Sequence, residues 1–305
     1  MSTPLLAAQD LRIIDAQVHI WGADSPQRPW PRGGTPRPHR EQPWSADELI
    51  AQMDAAGVTA AVIVPPGWEG DRNDLALDAV RRYPGRFAVM GRIDPRAQDP
   101  FDAFARWREQ PGLLGVRFTF HSERGRELLD HPVMARVWAA AETHAIPLML
   151  RALPPMLPAI GELAQRHPAL RIALDHLAIP LGSRDAAAFA HLPALLDLAR
   201  WPNIALKATC LPAYTDEPFP HPGLAAPLRA VRAAFGARRM FWGSDLSRLP
   251  GTYRQCVEYG VHHAGCSTAE EVRELMGDAL ARWLGWPAAP DAAAAPSLAS
   301  RSAGA

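Results

Sequence analysis

Eight short apolar runs recur along the chain, each followed by a stretch of helical character, and this alternation restricts the fold more than any other feature. The runs cover about residues 12–21, 58–64, 87–93, 113–118, 146–150, 170–174, 204–208 and 240–242. Helical stretches follow at 45–56, 74–83, 100–110, 132–144, 155–167, 185–200 and 222–236; the first opens on the capping-box pair Ser45 and Glu48 and stops at Gly57. Parallel strands need crossover connections, and the helices that provide them cover the outside of the sheet. Eight such units predict an α/β fold closed into a single (β/α)8 TIM barrel, which a chain of 305 residues fills with one core. The expected domain is 1–287; residues 288–305, rich in Ala, Pro and Ser, carry too little apolar bulk to offset their ordering entropy and are expected to be a disordered tail.

Bulk properties exclude several roles. Lys plus Arg (32) equals Asp plus Glu (32), and no basic stripe exists, so nucleic acid and anionic membrane surfaces are not expected partners. No secretory leader and no run of about eighteen uncharged apolar residues is present, which points to a cytoplasmic protein. Cys210, Cys256 and Cys266 are odd in number and lack CxxC spacing, so they suggest neither a disulfide framework nor a thiolate zinc site. Oligomeric state stays open.

In a barrel of this class the functional mouth is the C-terminal end of the strands. The first run, Arg12 to Trp21, ends in polar groups, and strict alternation puts Asp15, Gln17 and His19 on one side. Asp175 and His176 follow the sixth run and Asp245 the eighth. Each aspartate also reads as a helix cap, and a lone histidine as a structural group. Arg117, Arg151 and Lys207 lie at or near the ends of the fourth, fifth and seventh runs, with His121 just beyond the fourth. Pointing inward together, the three cations suit an anionic small molecule. Trp21 and Trp68 offer apolar walls, and the long loops Gly22–Pro43 and Pro65–Asn73 are candidate lids. His262 and His263 read as a surface pair, and Cys210 has no base beside it.

The ordered set Ile14-Asp15-Ala16-Gln17-Val18-His19-Ile20-Trp21, Gly115-Val116-Arg117, Leu174-Asp175-His176-Leu177, Gly243-Ser244-Asp245 and Met276-Gly277-Asp278-Ala279-Leu280 resembles the amidohydrolase-related (amidohydrolase 2) family over about residues 12–286. Within it the chain looks most like the branch of 2-pyrone-4,6-dicarboxylate lactonase and the sugar lactonases. The resemblance implies an amidohydrolase-type barrel that hydrolyses a cyclic ester. It also exposes two departures: Gln17 stands where the family's first-strand motif has its first His, and Arg151 where metal-binding members place a His after the fifth strand.

Those departures lead us to expect no cofactor and no tightly bound metal; should a divalent metal bind, His19, His176 and Asp245 are the ligands left to it. Arg117, Arg151 and Lys207 are then expected to bind the anion, with Gln17, Trp21 and Trp68 as further substrate contacts. His19, His176 and Gln17 polarise the carbonyl. Asp245 is the expected general base, provided burial raises its pKa from about 3.9 towards working pH. Competing readings are a metal-dependent decarboxylase of an unsaturated or aromatic acid, a cyclic amide or imide hydrolase, and a non-catalytic binding barrel.

Overall fold

The computed structural model describes residues 11–32 and 38–286. The expected tail at 288–305 and part of the first long loop lie outside the described residues. Eight strands form one parallel sheet in sequential order: β1 Ile14–Val18, β2 Ala60–Ile63, β3 Phe87–Gly91, β4 Leu113–Thr119, β5 Leu148–Arg151, β6 Ile172–Leu174, β7 Ile204–Thr209 and β8 Met240–Gly243. β8 returns to β1, where the Asp245 N–H donates to the Gln17 carbonyl at 2.9 Å. The expected barrel is therefore the observed one. Among the described residues no helix is long and apolar enough to cross a membrane.

Two cores follow from the period of two along each strand. Ile14, Ala16, Ala60, Val62, Met90, Met149, Ala173, Ala205 and Phe241 fill the barrel, while the opposite faces pack under the helices with residues such as Val89, Phe104 and Trp138. Leu280 and Leu284, on the helix Ala279–Leu284, join the inner core and close its lower end. The same period carries inward positions on from Met149 to Arg151, from Ala173 to Asp175, and from Ala205 to Lys207 and Thr209. On β4 the inward place before Arg117 is Gly115, where a Cβ would lie 2.3 Å from the Pro147 carbonyl and 2.6 Å from Met90. Only glycine fits there.

β1 breaks the strict alternation. Its register against β2 shifts between Asp15 and Val18, and Asp15 Oδ1 accepts the Gln17 N–H at 2.9 Å. This side-chain-to-backbone turn sends Asp15 away from the mouth. There it accepts the Ser244 N–H at 2.9 Å, the Ser244 hydroxyl, and the Tyr253 hydroxyl at 2.7 Å. Asp15 thus ties β1 to the loop after β8, which corrects its expected place beside Gln17 and His19.

The helices mostly follow the expected order. Ser45 caps Ala46–Ala56 with both capping-box hydrogen bonds present, and Gly57 ends it at φ 75°. The stretch expected as one helix over 185–200 is split into Asp185–Ala188 and Leu192–Leu196, because Pro193 lacks the N–H that a continuous helix needs. A helix at Glu123–Asp130 was not anticipated; its charged sequence shows little apolar period, and Ser122 caps it through the Gly125 N–H at 3.1 Å. His262 is exposed as expected, whereas the His263 ring sits edge-on to Phe219 at 5.6 Å.

Candidate active site

Four side chains from three strand ends converge at the open mouth. His19 and Gln17 come from β1, His176 from just after β6, and Asp245 from just after β8. His19 Nε2 lies 3.1 Å from Asp245 Oδ1, and His176 Nε2 lies 3.7 Å from Oδ2. Both Nε2 atoms are 3.4 Å from the amide nitrogen of Gln17. Lys207, which can only donate, bonds to the Gln17 carbonyl oxygen and thereby fixes which way the amide faces. Its N–H groups point at the imidazoles. His176 and Asp245 both adopt left-handed backbone conformations, at φ 52° and φ 48°. A residue with a Cβ is strained there by about 1–3 kcal/mol, and such strain gathers where a side chain must be aimed.

The imidazoles differ in what they can donate. His19 Nδ1 is 2.6 Å from the Val64 carbonyl, which can only accept, so that nitrogen carries its hydrogen. His176 Nδ1 lies 2.7 Å from the Thr209 hydroxyl, and burial holds its pKa well below the ordinary value, so the ring is neutral. Burial also pushes Asp245 upward, as expected from the sequence. The close approach of the His19 and His176 rings and the Arg248 guanidinium outweighs it, and the carboxyl is held well below the usual range. This corrects the expectation of a raised pKa. Neither Asp245 oxygen has an aligned hydrogen-bond partner, and both are buried.

The three expected cations do not form one set. Asp175, fully buried, lies 2.9 Å from Lys207 Nζ and 3.0 Å from Arg117 Nε, so these two share it as counter-ion. Burial favours the neutral acid, but the Lys207 and Arg117 charges prevail and keep Asp175 ionised. Lys207 bonds to the Gln17 carbonyl oxygen from behind and is not among the residues that line the cavity, unlike Arg117 and Arg151. Arg151 is different. Its guanidinium donates to the carbonyls of Ala152 at 3.2 Å and Ile179 at 2.9 Å, and no carboxylate among the described residues pairs with it.

Above this floor a cavity of about 350 Å³ is lined by Gln17, His19, His176, Asp245, Arg117 and Arg151, with Trp68 on its wall. Trp21 does not line it. The indole packs edge-on behind Trp68 at 5.4 Å, because its strand position faces the loop layer. Arg28 pairs with the buried Glu69, tying the long loop after β1 to the loop after β2. That loop brings His39 to the cavity, 5.1 Å from the Trp68 ring and 5.9 Å from His19. His121 and Arg248 also line the wall. Sequence reasoning gave no role to His39, His121 or Arg248. The usable signal for Arg248 was its place three residues after Asp245 in a loop that follows a strand.

The residues left for a metal fit one poorly. Gln17 presents N–H groups, not a lone pair, between the two imidazoles, and the Lys207 ammonium stands directly behind it. A divalent cation there would meet positive charge where it needs a fourth ligand. Among the described residues no group of three or more His, Cys, Asp or Glu side chains is arranged to hold a metal ion.

Comparison with known proteins agrees with this architecture. The amidohydrolase family model matches residues 14–300. The chain is 31% identical over 278 residues to an L-fucono-1,5-lactonase of Burkholderia ambifaria, covering 89% of this chain and 92% of the relative. It is 28% identical over 244 residues to a 4-sulfomuconolactone hydrolase of Hydrogenophaga intermedia, covering 76% of this chain and 73% of that one. An amidohydrolase of Burkholderia multivorans, solved with bound zinc, superposes with a TM-score of 0.74 at 24% identity, over 90% of this chain and 99% of that structure. With the barrel, the strand-end histidines and the final aspartate in these positions, the chain belongs to the amidohydrolase family.

Proposed function

We propose that the protein is a hydrolase that opens a lactone carrying an anionic group, by attack of water and without a tightly bound metal. The observation that carries this reading is Asp245: an ionised, buried carboxylate with no aligned hydrogen bond, faced by two imidazoles and open to a cavity also lined by Arg151, whose guanidinium bonds to carbonyls and to no carboxylate among the described residues. The two relatives named for lactone hydrolysis support the reaction class, one acting on a sugar lactone and one on a sulfonated lactone by their names.

The geometry suits the following sequence. Asp245 accepts a proton from water as its oxygen bonds to the lactone carbonyl. Negative charge developing on the carbonyl oxygen is met by N–H groups at the mouth, which are held in place before substrate arrives. The ring C–O bond then breaks, and Asp245 returns the proton taken from water to the leaving alkoxide. One water is added across the ester, and the protein returns to its starting state.

Gln17, held by Lys207, keeps both imidazoles oriented in this scheme, while Arg117, held by Asp175, adds donors to the cavity wall. A cytoplasmic location accords with Cys210, Cys256 and Cys266, all unpaired. A panel of matched lactones and lactams tests the reading: ring opening of lactones by the native protein supports it, and turnover of lactams alone would replace it with cyclic amide hydrolysis.

A further inference from the structure

Counter-ions around the cavity are unequally shared. Arg117 and Lys207 both rest on Asp175. Arg151 is 1% exposed and bonded only to carbonyls, so its charge has no partner carboxylate among the described residues. Arg248 lines the same cavity from the loop after β8, with Nη1 3.6 Å from Asp245 Oδ2 and a side chain 27% exposed. The two guanidinia oppose each other electrostatically. Gathering like charges around one cavity is unfavourable by itself and becomes favourable when an anion lies between them.

A substrate anion faces an opposite problem at Asp245. Like charges a few ångströms apart in a water-poor cavity repel strongly, so an anionic ring cannot approach an ionised base without a cation between them. Arg248 stands at that boundary. It already touches the Asp245 carboxylate and it lines the cavity. His121, which also lines the cavity, has its pKa pushed down to about 4 by burial and by the Arg151, Arg117 and Arg248 charges, so it adds a neutral hydrogen-bonding group.

We propose that Arg248 and Arg151 form a clamp for a carboxylate or sulfonate on the lactone ring, with Arg248 the specificity-determining residue that admits an anionic ring beside Asp245. The inference rests on the lactone-hydrolase reading and narrows it to rings whose anionic substituent lies close to the scissile ester. A neutral lactone gains nothing from the clamp.

The test compares two six-membered lactones that differ only beside the ring oxygen, one with a carboxylate and the other with a methyl group. In the native protein kcat/KM favours the carboxylated ring. In Arg248→Met that preference falls about tenfold to a hundredfold, mostly through KM, and Arg248→Lys restores part of it. An equal fall for both lactones, leaving the preference where it was, would overturn the proposal.

If neither lactone is hydrolysed, the reaction class is wrong, and the clamp is measured by itself. Calorimetric titration with the ring-opened hydroxy dicarboxylate then compares native protein and Arg248→Met, with thermal melts confirming that both are folded. Weaker binding by the variant supports the clamp, and equal binding removes it.

Discussion

Lys207 Nζ lies 2.9 Å from Asp175 Oδ1, and both side chains are closed off from solvent at the ends of β7 and β6. The same carboxylate serves Arg117 through its other oxygen. Removing a shared counter-ion leaves two buried cations uncompensated, which is far worse than losing one surface pair. Asp175→Asn is therefore expected to destabilise the fold by about 3–5 kcal/mol, read as a fall in the urea midpoint. Adding Lys207→Met to that variant should recover part of the loss, because one of the stranded charges is gone. Additive losses in the double variant would show that the pair is not coupled.

Asp245 accepts the proton of the attacking water in the proposed scheme, so Asp245→Asn keeps the shape of the cavity and loses the base. We expect kcat to fall by about 10² to 10⁴. Calorimetric binding of the ring-opened product should persist, because Arg151 and Arg248 remain. Turnover within tenfold of the native rate would remove Asp245 from this role.

A metal-free mechanism predicts that activity survives exhaustive dialysis against a chelator and that purified protein retains less than one equivalent of zinc. Gln17→His replaces an N–H donor with an imidazole lone pair, raising the available ligands to three imidazoles and one carboxylate. That variant is expected to retain more zinc than the native protein by elemental analysis. Stoichiometric zinc in the native protein, lost together with activity and restored with it, would overturn the metal-free reading.

His176 is held neutral by burial, so its folded pKa lies below its unfolded value of about 6.5. The unfolded chain then binds a proton that the folded chain does not, over the window beginning near pH 6.5 and extending downward. Stability from this residue is complete above that pH and declines as pH falls, with a limiting slope of about 1.4 kcal/mol per pH unit. Urea midpoints measured between pH 8 and pH 5 should fall more steeply for the native protein than for His176→Asn. Parallel curves would place the acid sensitivity elsewhere, for instance in His121, whose pKa is also lowered by burial.

The strand-helix alternation was legible because it is a local property: apolar runs such as Phe87–Gly91 and Ile204–Thr209 bury both faces, and each is followed by a turn and an amphipathic stretch. Closure followed from the count of eight, and the strand ends drew attention to His19, His176 and Asp245. The helix Glu123–Asp130 escaped because its order comes from a cap and from contact with the barrel rather than from its own pattern.

Distances between strand ends are set by closure, and no spacing along the chain encodes them. Arg117, Arg151 and Lys207 look alike in sequence, yet only folding decides that Asp175 pairs with two of them and leaves Arg151 bonded to carbonyls. The Asp15 bulge likewise reversed one side chain that strict alternation had placed at the mouth. Sequence by itself determined the barrel and the end of it that holds the cavity, with His19, His176 and Asp245 among its lining residues. Tertiary structure decided which charges are satisfied, because electrostatic pairing depends on proximity across β1, β4, β5, β6, β7 and the β8 loop, elements far apart in the chain.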